Sequence, residues 1–192
     1  MADENRVTFA CECGTVRGTV DPARPINRLV CYCTDCRAFA RHCGDSALDA
    51  SGGLDLYQTT LGKVRLERGR EALNALKVTE RGPVRWYCGA CRTALAVTLP
   101  TPGLPFATLV AAALRDDGGA LEPVRGSVYA SSAPAPPLYP PTSVAGVVAR
   151  FARAMAGARW RGEHRHSPFH ENGRPVAPPR VMAAGERAAL SG

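Results

Sequence analysis

Cysteine spacing is the most chemically specific signal in this 192-residue chain. The eight cysteines fall as Cys11-x-Cys13, Cys31-x-Cys33-x-x-Cys36, a single Cys43 and Cys88-x-x-Cys91. Spacings of this kind let two thiolates converge on one ion, and a Cys-x-Cys pair on an extended strand presents both sulfurs on the same face. Gly89 in "YCGACR" suits the tight turn of a second chelating loop. The simplest partition joins Cys11, Cys13, Cys88 and Cys91 in a closed four-thiolate tetrahedron and leaves Cys31, Cys33 and Cys36 as a separate three-thiolate site. Four protein ligands make a structural site, whereas three leave a position for water or a substrate atom. The donor set favours zinc, two ions per chain, with an iron-sulfur cluster as the other thiolate-held group. Cys43 has three readings: a buried, apolar-like side chain, the fourth ligand of the second zinc, or a reactive thiol. His42 is another group that could close the second tetrahedron.

The elements that must position these residues read as short strands. "RVTFAC", "RLVCYC", "LDLYQT", "KVRLERG", "ALKVTE", "VRWYC" and "TALAVTL" are rich in β-branched, aromatic or aliphatic residues and are separated by Gly, Pro, Asp and Ser. "TVRGTV" and "VRGSVYAS" complete the set. "FATLVAAAL" suits a strand or a buried helix, because short apolar runs are ambiguous by periodicity. After the Pro-rich "APAPPLYPP", Val144, Val147, Val148, Phe151 and Met155 recur at helical spacing and predict one amphipathic helix, followed by an irregular tail.

The order "CECGTVRG", "CYCTDCR", "YCGACRTAL" resembles the glutathione-dependent formaldehyde-activating enzyme family over roughly residues 7–133. "ALRDDGGALEPVRGSVYASSAP" is similar to that family's closing segment, a Leu-x-Asp turn followed by a strand. The resemblance implies a mainly-β, small antiparallel zinc-binding sheet fold in residues 1–140, with the helix and a basic tail in 141–192. It favours a strand for "FATLVAAAL". It assigns Cys11, Cys13, Cys88 and Cys91 to a structural zinc and Cys31, Cys33 and Cys36 to a catalytic one. It also implies carbon-sulfur lyase chemistry of the S-hydroxymethylglutathione synthase kind, with a small thiol such as glutathione, or its aldehyde adduct, as partner. Arg37 or Arg41 would then orient the ligand's carboxylates, with plain surface charges as the other reading of both. The chain departs from the family in carrying Tyr32 where His is frequent, and in the stretch "AFARHCGDSALDA". The competing class is a non-catalytic zinc module whose basic extension binds a partner.

Composition narrows the rest. The acidic start "MADEN" and the absence of a following apolar run argue against a secretory leader, and no apolar run reaches the ~20 residues of a membrane span, so a cytoplasmic protein is expected. Net charge is +7, and residues 150–192 hold eight arginines against three acids. His164, His166 and His170 lie in this stretch and read as part of a solvated polar tail. No aromatic interleaving and no nucleic-acid motif accompany the charge, so nucleic acid is not the expected partner.

Overall fold

The computed structural model describes residues 7–20, 24–115 and 121–191. In chain order these form β1 (Val7–Ala10), β2 (Arg17–Val20), β3 (Asn27–Cys31), α1 (Thr34–His42), β4 (Leu54–Thr60), β5 (Val64–Arg68), β6 (Leu73–Lys77), β7 (Val84–Cys88) and β8 (Ala94–Thr98). There follow β9 (Phe106–Val110), β10 (Leu114–Arg115), β11 (Ser127–Val128), α2 (Val144–Trp160), β12 (His170–Glu171), β13 (Arg174–Pro175), β14 (Arg180–Val181) and α3 (Ala184–Ser191). The mainly-β expectation holds. "FATLVAAAL" becomes β9, a 3-10 turn over Ala111–Ala113 and the start of β10. Asp116 of the expected Leu-x-Asp turn lies outside the described residues.

The strands form two main sheets, one of four strands in the order β10-β1-β2-β5 and one of eight in the order β11-β3-β4-β9-β8-β7-β6-β14. Neighbours pair antiparallel except at the two edges of the larger sheet, where β11 joins β3 and β14 joins β6 in parallel. Side-chain alternation explains how the sheets stack. In β7, Val84, Trp86 and Cys88 enter a core shared with Val7, Phe9, Val20 and Val64 of the smaller sheet. The opposite face of the larger sheet contributes Leu54, Leu56, Leu76 and Val110 to a second core, capped by Phe39 of α1, Val147 of α2 and Met182 beside α3. At Gly18 a Cβ would collide with the Arg65 carbonyl and the Phe9 ring, so only glycine permits β1, β2 and β5 to approach this closely.

The C-terminal region differs from the expected irregular tail. β14 extends the eight-stranded sheet, and α3 packs on α1. Phe169 is fully buried against Trp86, with ring centroids 5.3 Å apart. His170 is not solvated: it is 7% exposed, its Nε2 donates to the Leu99 carbonyl at 2.9 Å, and its Nδ1 pairs with Ser167 Oγ at 2.7 Å. Burial lowers its pKa, which fits a neutral structural histidine. The predicted amphipathic helix is α2, with Ser143 accepting from Gly146 N as its N-cap. Its apolar contacts come from Val147, Met155, Ala158 and the Phe151–Phe106 ring pair, while Val144 and Val148 are exposed.

Candidate metal centres

The four-cysteine group forms where two hairpin turns meet. Cys11 and Cys13 do not lie on an extended strand as expected. They occupy the turn after β1, closed by Gly14 N donating to Cys11 O at 3.0 Å and by the left-handed backbone of Gly14 (φ 72°). Cys88 ends β7, and Cys91 lies in the turn leading to β8. In that turn the left-handed residue is Arg92 (φ 62°), with Arg92 N bonded to Cys88 O at 2.8 Å, so Gly89 does not supply the turn conformation. Sulfurs of Cys11 and Cys13 are 3.4 Å apart and those of Cys13 and Cys88 3.8 Å. Thiolates around a tetrahedral zinc at the usual Zn–S length are separated by about 3.8 Å, so this donor set fits the ion.

Local donors prepare the group for a cation. The Thr15 hydroxyl and N–H lower the Cys13 pKa. Burial raises that of Cys91, but the Thr93 hydroxyl and the N–H groups around it outweigh burial and bring it to about 6. Cys88, more enclosed, is pushed up to about 12 by burial.

Cys31, Cys33 and Cys36 come together at a strand-to-helix junction. Cys31 is the last residue of β3, Cys33 the N-cap of α1, and Cys36 lies in its first turn. The ligand atoms of each cysteine group all lie within 4.8 Å of one another, so both groups could hold a metal ion. Here Cys31 and Cys33 sulfurs approach to 3.3 Å. Thiols of Cys31 and Cys36, the Cys36 N–H and the nearby Arg85 guanidinium lower the Cys33 pKa to about 2. Cys31 is pushed up to about 12 by donating to Cys33 and by burial, and Cys36 is raised as well. Cys33 is therefore the most acidic of the three sulfurs, and Cys31 and Cys36 hold their protons more tightly. Metal uptake here is expected to release protons and to weaken as pH falls, because protons compete for the same sulfurs. Calorimetry of zinc binding in buffers of different ionisation enthalpy measures this directly.

The other expected candidates are placed elsewhere. Cys43 caps the C-terminus of α1, where the helical rise carries it about 10 Å from Cys36. It is absent from the cysteine group and packs partly buried on the second core, with burial pushing its thiol to about 12. His42 turns to Glu186 at 3.4 Å and to the Tyr87 ring. Tyr32, on the opposite side of the chain from its cysteine neighbours, donates to Asp49 and accepts from Leu138 N, both at 3.1 Å. Arg37 is 6% exposed and donates to the carbonyls of Tyr32, Ser132 and Ser191, and Arg41 donates to that of Leu190. Both arginines thus cap the C-terminal carbonyls of α3.

Arg85 is the residue that sequence reasoning missed. It is 4% exposed on β7, and its Nε has no partner among the described residues. Its Nη2 is 3.9 Å from Asp35, which also accepts from Arg187 at 2.9 Å. A charged residue between Val84 and Trp86, in a sheet covered on both faces, is the signal that could have marked it. Three thiolates around a divalent cation leave a net negative charge, and Arg85 is the buried cation that offsets it. Arg85→Gln is expected to weaken metal binding at Cys31, Cys33 and Cys36 about tenfold, within the range for groups that support metal ligands. Competition with a chromophoric chelator measures it.

Residues 4–179 match the model of a family of unknown function, DUF6151. The chain belongs to this family. No curated protein matches it. The match takes in all seven clustered cysteines of this DUF6151 chain together with α2 and β12 to β13, so the family extends well beyond the cysteine-bearing sheets. No helix described in this DUF6151 member is long and apolar enough to cross a membrane.

Proposed function

We propose that this protein is a zinc-dependent carbon-sulfur lyase-like enzyme that binds a small thiol, such as glutathione, or its aldehyde adduct at Cys31, Cys33 and Cys36. The observation that carries the reading is the inequality of the two cysteine groups, one with four ligand atoms and one with three, among the described residues. A zinc ion in the smaller group would supply one further coordination position, in which a thiol is kept ionised at neutral pH.

The chain's own residues have distinct parts in this scheme. Cys31, Cys33 and Cys36 hold the ion, and the first turn of α1 directs the Cys36 N–H toward Cys33. Arg85 stabilises negative charge from beneath. The half-buried Cys33 lies at the accessible end of the group, whereas Cys31 and Cys36 are buried. In the synthetic direction the thiol sulfur forms a bond to the aldehyde carbon, and the thiol proton ends on the carbonyl oxygen. The reverse cleaves that carbon-sulfur bond.

The test is the optical spectrum of the cobalt-substituted protein, titrated with glutathione and with simpler thiols. A shift in the spectrum of one of two bound ions supports an open site and justifies a screen of aldehyde-thiol adducts. Two bound ions with no shift would leave a structural zinc module in its place.

A further inference from the structure

We infer that the face formed by α2 and the turn before β5 binds single-stranded nucleic acid, with the phosphates in two adjoining cationic grooves and a base stacked on Trp160. The first groove, about 320 Å³, lies between α2 and the 3-10 turn Leu61–Lys63 and is lined by Lys63, Arg150, Arg153 and Arg161, with no acidic residue in its lining. The side chains of Lys63 and Arg153 make no hydrogen bond or ion pair among the described residues. Arg150 is oriented by Asn27 at 2.8 Å, and Arg161 by Glu163 at 2.7 Å. The second groove, about 520 Å³, begins one residue along the same turn and is lined by Arg65, Arg70 and Arg165, with Glu171 as its one acid, 3.8 Å from Arg70.

This arrangement separates a binding track from an ordinary solvated charge face. Positive side chains from β5, the turn before it and α2 converge on concave surface, where a polyanion meets several of them at once. The α2 contacts are also paired with an aromatic surface. Trp160 is 92% exposed, and Arg153, Gly157 and Trp160 share one side of α2 at i, i+4 and i+7, opposite the buried Val147, Met155 and Ala158. A cationic groove with an accessible indole alongside is the pattern that tracks a phosphate backbone and stacks bases without reading their sequence. The expectation against nucleic acid rested on the lack of a motif and of aromatic interleaving, and the exposed Trp160 between Arg159 and Arg161 removes the second ground. Placing Lys63 and Arg65 beside α2 required the fold.

The chain reports on this itself, since its two tryptophans are the fully buried Trp86 and the exposed Trp160. Full-length protein would be titrated with a fluorescent oligo(dT) of about 20 nucleotides at low salt, following anisotropy and tryptophan emission. The expected result is binding with indole quenching and an affinity that falls steeply with salt. Trp160→Ala should weaken it roughly 5- to 150-fold, the worth of one stacked base. Lys63→Glu and Arg153→Glu should each weaken it and flatten the salt dependence, with Arg81→Ala, outside both grooves, as the unchanged control. No anisotropy change, or binding indifferent to the Trp160, Lys63 and Arg153 variants, overturns the proposal. So does equal competition by inorganic phosphate or by phosphatidylserine vesicles, which would make this a small-anion site or a lipid-facing surface.

Discussion

Cys88→Ser is expected to lose one of two metal ions and to unfold near or below ambient temperature. Cys88 is fully buried at the end of β7, and its sulfur lies 3.8 Å from that of Cys13, which the chain carries in the turn between β1 and β2. The four-cysteine group thus ties the smaller sheet to the larger at a point where only two turns meet. A structural zinc contributes on the order of 10 kcal/mol in small metal-dependent folds, against a net domain stability of about 5–15 kcal/mol. Losing even half of that contribution removes most of the margin. Metal analysis with thermal melting by circular dichroism checks it, and a variant that melts like the parent with both ions retained would deny this group its structural role.

Cys36→Ala is expected to act differently. Its side chain lies in the first turn of α1, but α1 is also held by Phe39, Ala38 and Ala40 in the second core and by Arg37 and Arg41 bonded to the end of α3. Removing one thiol should cost about 1–2 kcal/mol, a few degrees in melting temperature for a chain of this size. Thiol binding should be lost, because two cysteines no longer hold the ion in a three-ligand geometry. The readout is the thiol-dependent shift of the cobalt spectrum, absent in Cys36→Ala, together with one remaining metal. If Cys36→Ala melts as low as Cys88→Ser, both groups hold the fold together and the division of roles fails.

These contrasting expectations come from features the sequence displays unequally. The two cysteine groups were legible because chelation is a local demand: Cys-x-Cys and Cys-x-x-Cys spacings appear in the chain whatever its fold. The strands were legible where β-branched, aromatic and aliphatic residues run between turn-forming ones, as in "VRWYC" and "TALAVTL". α1 was not anticipated, because its nine residues are too few for periodicity to separate a helix from a loop. β14 and α3 escaped for a related reason. β14 is two residues long and pairs in parallel with β6, about a hundred positions away, and none of the residues of α3 is fully buried.

What the sequence determined by itself was the inventory of candidate ligands, its partition into four and three, and the mainly-β character of the chain. These follow from sulfur chemistry and from the strand preference of short β-branched, aromatic and aliphatic runs bounded by turn residues. Tertiary structure alone decided which nearby groups serve the site. It removed Cys43 by the rise of a helix, engaged Arg37 and Arg41 with the end of α3, brought Arg85 beneath Cys33, and set Lys63 opposite Arg153. Each of these is a long-range placement, governed by which faces pack against which, and spacing along the chain carries no record of it.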